Sequence, residues 1–313
     1  MTVLITGGAG FIGSNLVRHL NATHPELDVR VLDDLSTGFQ SNMDGLKCRF
    51  LEGSILDPEA LVASLEDVDS IVHLAAIPSV PRSLANPVAS NAANVSGTLS
   101  VLEAARVRNV KHVVVASSSS VYGANPSMPK RELDWTRPMS PYAVSKLAAE
   151  SYAMAYRYSY GLETLAFRFF NVFGPYQAAG HAYAAVIPKY VDAALNGRAV
   201  EITGDGTQSR DFTFVGTVCS VIERAVTRRL SADTPINLAY GTSTSLLELI
   251  ALMEELLGTK LDRTSVESRA GDVVASQADS TRIRALVPEV SPVSLESGLK
   301  ETIEWFRAGN LTR

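Results

Sequence analysis

The 313-residue chain is poor in the residues that mark several common chemistries. It has two cysteines, Cys48 and Cys219, in unrelated contexts, which excludes a disulfide framework. Two thiols without neighbouring histidines make no metal site, and both read as small buried residues. The five histidines (His19, His24, His73, His112, His181) are scattered without ligand spacing, so no bound metal is expected. No apolar stretch approaches the roughly 18 residues that a membrane span needs. The N-terminus lacks a basic segment followed by a cleavable apolar one, so the expected location is the cytoplasm. Charge of one sign is sparse as well: 28 Lys+Arg against 33 Asp+Glu leave a net −5, with no like-charge run. That argues against nucleic acid or an anionic membrane as partner. A site for an anionic ligand must therefore be a local arrangement.

What is present is an ordinary globular composition, 46 % hydrophobic and 19 % charged. Through the first half, β-rich runs alternate with helix-period segments. "TVLIT" precedes a helix from about Phe11 to Leu20. "DVRVLDD" and "KCRFLEG" precede one from about Pro58 to Leu65. "SIVHLAA" precedes one from about Val88 to Arg108, and "VKHVVVA" one from about Pro141 to Tyr160, followed by "TLAFRFFN". Strands separated by helices predict right-handed crossovers and a doubly wound parallel sheet, an α/β fold of Rossmann type. After Asn171 the chain becomes loop-rich. Helices are expected from about Val186 to Leu195 and Ser245 to Leu257, then a last one with Leu295, Leu299, Ile303 and Phe306 on one face. The expected division is a cofactor domain over residues 1–170 and a smaller α/β substrate domain over 171–313, with an approximate, interleaved boundary.

Two motifs carry chemistry. "ITGGAGFIGSNL" sets Gly7, Gly10 and Gly13 between the first strand and the first helix, where backbone can approach a pyrophosphate at a helix N-terminus. "VLDD" ends the second strand, so Asp33 is placed to accept from an adenosine ribose, with Asp34 adding negative charge. With no Lys or Arg between Asp34 and Gln40, a 2′-phosphate would be repelled and NAD is favoured over NADP. Ser54, in "EGSILD", stands where such folds often carry an Asp toward adenine. The second motif is "SPYAVSK". Tyr142 and Lys146, four residues apart, project from one helix face. An ammonium and an oxidised nicotinamide nearby would favour the phenolate and lower the pKa of the tyrosine from its usual ~10.

With these motifs, "HLAA", "NVSGT", "SSSSVYG", "RFFNVFGP", "SRDFTFV" and "RAGD", the chain resembles the UDP-galactose/UDP-glucose 4-epimerase family of extended short-chain dehydrogenases/reductases over nearly its whole length. The resemblance implies a catalytic set of Ser118, Tyr142 and Lys146. Ser118 lies four residues before the tyrosine of "VYG". It adds Phe11, Ile12, Ile55, Leu74, Ala75, Ala76 and Asn94 to the cofactor side. Relatives that dehydrate nucleotide sugars carry Asp–Glu at the next two positions. Here those are Ser119 and Ser120, so elimination has no proton source and epimerisation is implied.

For the UDP-sugar the resemblance implies Arg210, Arg269, Asp272 and Asn171, with Val186 near the uracil and Ser118, Ser119, Ser120 and Arg82 around the sugar. Ser276 replaces a wall tyrosine and implies room for a 2-acetamido group. UDP-glucuronate stays open as an alternative substrate. A homodimer through the helices near Val88 to Arg108 and Pro141 to Tyr160 is also implied. Phe169, where "RYFN" is common, and Gly216–Thr217, in place of an acidic pair, depart from the family pattern.

Overall fold

The computed structural model describes residues 1–180, 184–266 and 275–309. Arg269 and Asp272 lie outside the described residues. The core is a seven-stranded parallel sheet. Its strands are β1 (Thr2–Thr6), β2 (Asp28–Asp33), β3 (Arg49–Glu52), β4 (Ser70–His73), β5 (His112–Ser118), β6 (Glu163–Phe169) and β7 (Ile236–Leu238). Their order in space is β3-β2-β1-β4-β5-β6-β7. The chain turns outward in one direction after β1 and in the other after β4, so the ends of these two strands flank a crevice.

Alternate side chains along each strand enter two cores. Leu4, Leu32, Ile71, Val113 and Val115 pack against α2 (Pro58–Ser64), α5 (Gly97–Val107) and α6 (Pro141–Tyr160). Val3, Ile5, Val31, Val72 and Val114 face the other side, where α1 (Phe11–Thr23) and α8 (Val215–Thr227) pack. Burial of both faces explains the near-continuous apolar runs of these strands.

The α6 boundaries follow local chemistry. Ser140 caps it by accepting from Ala143 N at 3.2 Å, Pro141 opens it, and Gly161 ends it at φ 70°. The helix expected from Val88 to Arg108 is not continuous. α3 (Val80–Ala85) and α4 (Pro87–Asn91) lead into a π turn at Ala92–Ser96, after which α5 begins. The wide turn buries Asn94 under the loop that follows β4.

Beyond residue 171, α7 (Val186–Leu195), α9 (Leu246–Leu257), α10 (Thr281–Leu286) and α11 (Leu295–Arg307) surround three short strand pairs. Two later elements belong to the sheet layers: β7 pairs with β6, and α8 packs on α1. α11 buries Leu299, Ile303 and Phe306 in the same core as Val3 and Ile5, while Leu295 is half-buried.

Candidate active site

The C-terminal ends of β1, β2, β4, β5 and β6 open into a cleft of about 1000 Å³. Gly7, Gly10, Phe11, Ile12 and Gly13 form its floor. Gly7 has φ +72°, and a Cβ there would stand 2.6 Å from Ala75 N. A Cβ on Gly13 would stand 2.4 Å from Gly7 O, so only glycines let α1 start this close to the turn. α1 opens without a side-chain cap, which leaves its leading N–H groups available to an anion.

Asp33 and Asp34 line the same cleft. Asp33 is buried and accepts from Ala9 N at 2.9 Å and Leu35 N at 2.8 Å, one bond on each oxygen. It thereby shapes the loop around itself and keeps lone pairs for a ligand. Burial raises its pKa, against those two hydrogen bonds. Ser54 and Ile55 continue the wall, as do Leu74, Ala75 and Ala76, which leave β4. The glycine cradle, the uncapped helix and this carboxylate fit a dinucleotide with an unphosphorylated ribose.

At the far end Ser118, Tyr142 and Lys146 meet, with Arg82 and Asn171 on the same wall. Tyr142 shares this wall with Ser118, and its backbone N–H donates to Ser83 Oγ at 3.0 Å. Lys146 is buried and donates to Ala116 O at 2.9 Å, and burial brings its pKa down to about 8. Burial raises the pKa of the Tyr142 phenol, and only the Ser118 hydrogen bond opposes that rise. In the protein alone desolvation of the phenolate dominates, and the expected lowering includes the positive charge of an oxidised nicotinamide.

A buried imidazole supports this end. Thr98 Oγ1 donates to Asn94 O at 2.6 Å, so His73 Nε2 donates to Thr98 (3.0 Å) and Nδ1 accepts from Thr6 (2.7 Å). Burial first, and the Lys146 charge second, push the His73 pKa down to about 3, which keeps the ring neutral.

Several expected residues stand elsewhere. Asn94 is behind the wall: its amide accepts from Ile77 N at 2.7 Å and donates to Ile77 O at 3.1 Å and Ser145 Oγ at 3.0 Å. Ser119, Ser120 and Val186 do not line the cleft, although Ala184, Ala185 and Lys189 beside Val186 do. Arg210 and Ser276 are not among its lining residues and stand on neighbouring backbone. Arg210 pairs with Thr244, and Ser276 N donates to Ser209 O at 3.1 Å.

Other cleft residues escaped the sequence reading. Ser79, at φ +90°, and Gln177 each hold a buried polar atom without a partner, Oγ and Oε1 respectively, on the cleft wall. Lys189 adds a cation in the first turn of α7. "AAVIPKY" contained that signal, three residues beyond Val186. Among the described residues lining the cleft the only carboxylates are Asp33 and Asp34. Also among the described residues, no His/Cys/Asp/Glu group could hold a metal, and no helix is long and apolar enough to cross a membrane.

The profile of the NAD dependent epimerase/dehydratase family matches residues 3–239. The chain belongs to that family. Within it, the chain is 37 % identical over 314 residues to the UDP-glucose 4-epimerase of Mycolicibacterium smegmatis, covering 98 % of this chain and 99 % of that one. It is 32 % identical to the probable UDP-glucuronate 4-epimerase of Rhizobium meliloti over 337 residues, with 98 % and 97 % covered. It superimposes with a TM-score of 0.92 and 36 % identity on the UDP-N-acetylglucosamine 4-epimerase of Methanobrevibacter ruminantium, solved with UDP-N-acetylmuramic acid, with 98 % of each chain covered. The doubly wound architecture expected from the motifs is the one observed.

Proposed function

We propose that the protein is an NAD-dependent UDP-sugar 4-epimerase. One observation carries the reading: a single cleft joins the dinucleotide cradle to Ser118, Tyr142 and Lys146, and its described wall has no carboxylate at that end. Elimination of a sugar hydroxyl needs a general acid there, and a serine hydroxyl cannot serve near neutral pH. A proton acceptor beside a hydroxyl donor supplies the proton transfers that oxidation and re-reduction of an alcohol need, with NAD in the cradle as hydride acceptor and donor.

When bound, NAD supplies reversible hydride acceptance at C4 and a positive charge near the phenol. Tyr142 takes the proton of the sugar 4-hydroxyl and returns it to the same oxygen once the 4-keto sugar has turned and its C4 is re-reduced from the opposite face. Ser118 donates to the reacting oxygen. Lys146, held by Ala116 O, contacts the nicotinamide ribose. Asp33 accepts from the adenosine ribose. Arg82 and Lys189 offer the cleft's outward cations to the diphosphate or to a C6 carboxylate. Asn171 and the unpartnered polar atoms of Ser79 and Gln177 offer hydrogen bonds to the sugar nucleotide. The two cations also favour a second reading within the class, UDP-glucuronate as substrate.

Proton NMR of the holoenzyme with UDP-glucose, UDP-N-acetylglucosamine and UDP-glucuronate separates these readings through new anomeric signals. Loss of the sugar without a C4 epimer would mark a dehydratase or decarboxylase, and no change on any of them would end the proposal. Assembly follows from the same helices: Val88 (77 % exposed), Val107, Val144 and Tyr158 leave α4, α5 and α6 with exposed apolar positions. A second copy covering them would give twice 33.5 kDa by light scattering, and a monomeric mass at micromolar concentration would refute it.

A further inference from the structure

The first turn of α6 holds one donor that its own segment does not satisfy. Pro141 has no N–H, Ala143 N donates to Ser140 Oγ at 3.2 Å, and Val144 N donates to Ser140 O at 3.0 Å. The N–H of Tyr142 crosses instead to another helix, where Ser83 Oγ of α3 accepts it at 3.0 Å. Ser83 is fully buried, and its own proton goes to Val80 O at 2.7 Å.

The Tyr142 carbonyl is tied to the same loop. Ser145 Oγ donates to it at 2.8 Å and accepts from Asn94 Nδ2 at 3.0 Å. The Asn94 amide in turn grips both the N–H and the C=O of Ile77. The chain from Ile77 to Ser83 is thus fastened at both ends to the backbone of one residue. Pro78 to Arg82, between the fastenings, line the cleft, whereas Ser83 does not. Ser79 sits among them at φ +90°, a conformation that a serine keeps only where its surroundings hold the backbone.

We propose that Ser83 is a positioning residue for the sugar-nucleotide wall, which holds its neighbour Arg82 in register with Tyr142. The inference rests on the reading of this cleft as a UDP-sugar site, and adds a residue that touches neither sugar nor cofactor. A cation on a long stem recognises a phosphate or carboxylate only if its backbone is fixed relative to the reacting atoms. At six residues α3 is too short to hold itself, so its place must come from tertiary bonds. Ser83 supplies one directly beside Arg82 and ends it on the tyrosine.

The test uses NAD-loaded enzyme and requires no turnover. Tyr142→Phe keeps the backbone N–H and, on the proposed reading, stops the reaction, so calorimetry with UDP-glucose reads binding alone. Adding Ser83→Ala should weaken that binding about tenfold, the size of one lost buried hydrogen bond, and leave bound NAD unchanged. In an Arg82→Ala background the same substitution should cost less than about twofold, because the residue it positions is gone. A merely structural serine would lower the melting temperature and leave the affinity alone. Hydrogen exchange in the unsubstituted protein checks the bond without any variant: the Tyr142 amide, although in the first turn of a helix, should exchange as slowly as core amides. Undiminished affinity in Ser83→Ala, equal losses with and without Arg82, loss of NAD, or a freely exchanging Tyr142 amide would each overturn the proposal. No binding of UDP-glucose to the Tyr142→Phe holoenzyme would refute the UDP-sugar reading, and this inference with it.

Discussion

The two ends of the cleft differ in how they are built. At the glycine end, Gly7, Gly10, Gly13, Asp33, Ser54 and Leu74 sit within a few residues of a strand's C-terminus, and all of them line the cleft. At the sugar end, Ser118, Arg82 and Asn171 do so, while Ser119, Ser120, Val186, Arg210 and Ser276 do not. The difference is one of construction. A parallel strand points its last residues into the crevice by register alone, so a motif at that position needs no further information. Loops far apart in sequence meet only through packing, and motif matching cannot report which of their side chains face inward.

The strongest test falls where the two ends join. On the proposed reading, Tyr142→Phe keeps the ring and the bound NAD but removes the proton acceptor, and turnover should fall about 10²–10⁴-fold. Single-turnover kinetics with retained cofactor would check it, and near-wild-type rates would show that the ends do not meet at Tyr142. The next probe lies wholly at the glycine end. Asp33→Ala should weaken NAD retention about ten- to hundredfold and reduce discrimination against NADP, since a carboxylate acceptor and a repelling charge are lost together. Unchanged retention by equilibrium dialysis would remove Asp33 from the ribose.

The smallest effect is expected at the sugar end, where the position is argued from resemblance alone. Ser276→Tyr should cut activity on UDP-N-acetylglucosamine about tenfold while sparing UDP-glucose, from an overpacking cost of about 1–3 kcal/mol. Equal losses on both sugars, or none, would mean that Ser276 stands too far from the sugar to set its width. That outcome would sharpen the contrast between the two ends.

Much of the local structure was legible because its causes are local. Ser140, Pro141 and Gly161 bound α6 as written, and the near-continuous apolar runs of β1, β4 and β5 match their near-continuous burial. The break at Ala92–Ser96 was not legible. It arises from the partners of Asn94 on the β4 loop and on α6, which no window of sequence contains. Likewise Lys189 reads as a surface lysine until α7 is placed against the cleft.

The sequence by itself determined the parallel sheet, the glycine cradle with Asp33, and the shared helix face of Tyr142 and Lys146, because each depends on spacing within one strand–turn–helix unit. The tertiary structure decided the electrostatics and the far wall. Burial, a property of everything packed around a residue, raised Tyr142 and lowered Lys146. Folding of the 3-10 turn at Ser119–Tyr122 set Ser120 against Ser118. Which cations and unpartnered polar atoms face the cleft depended on contacts between segments as far apart as Ser79 and Lys189, and such contacts exist only once the chain has closed on itself.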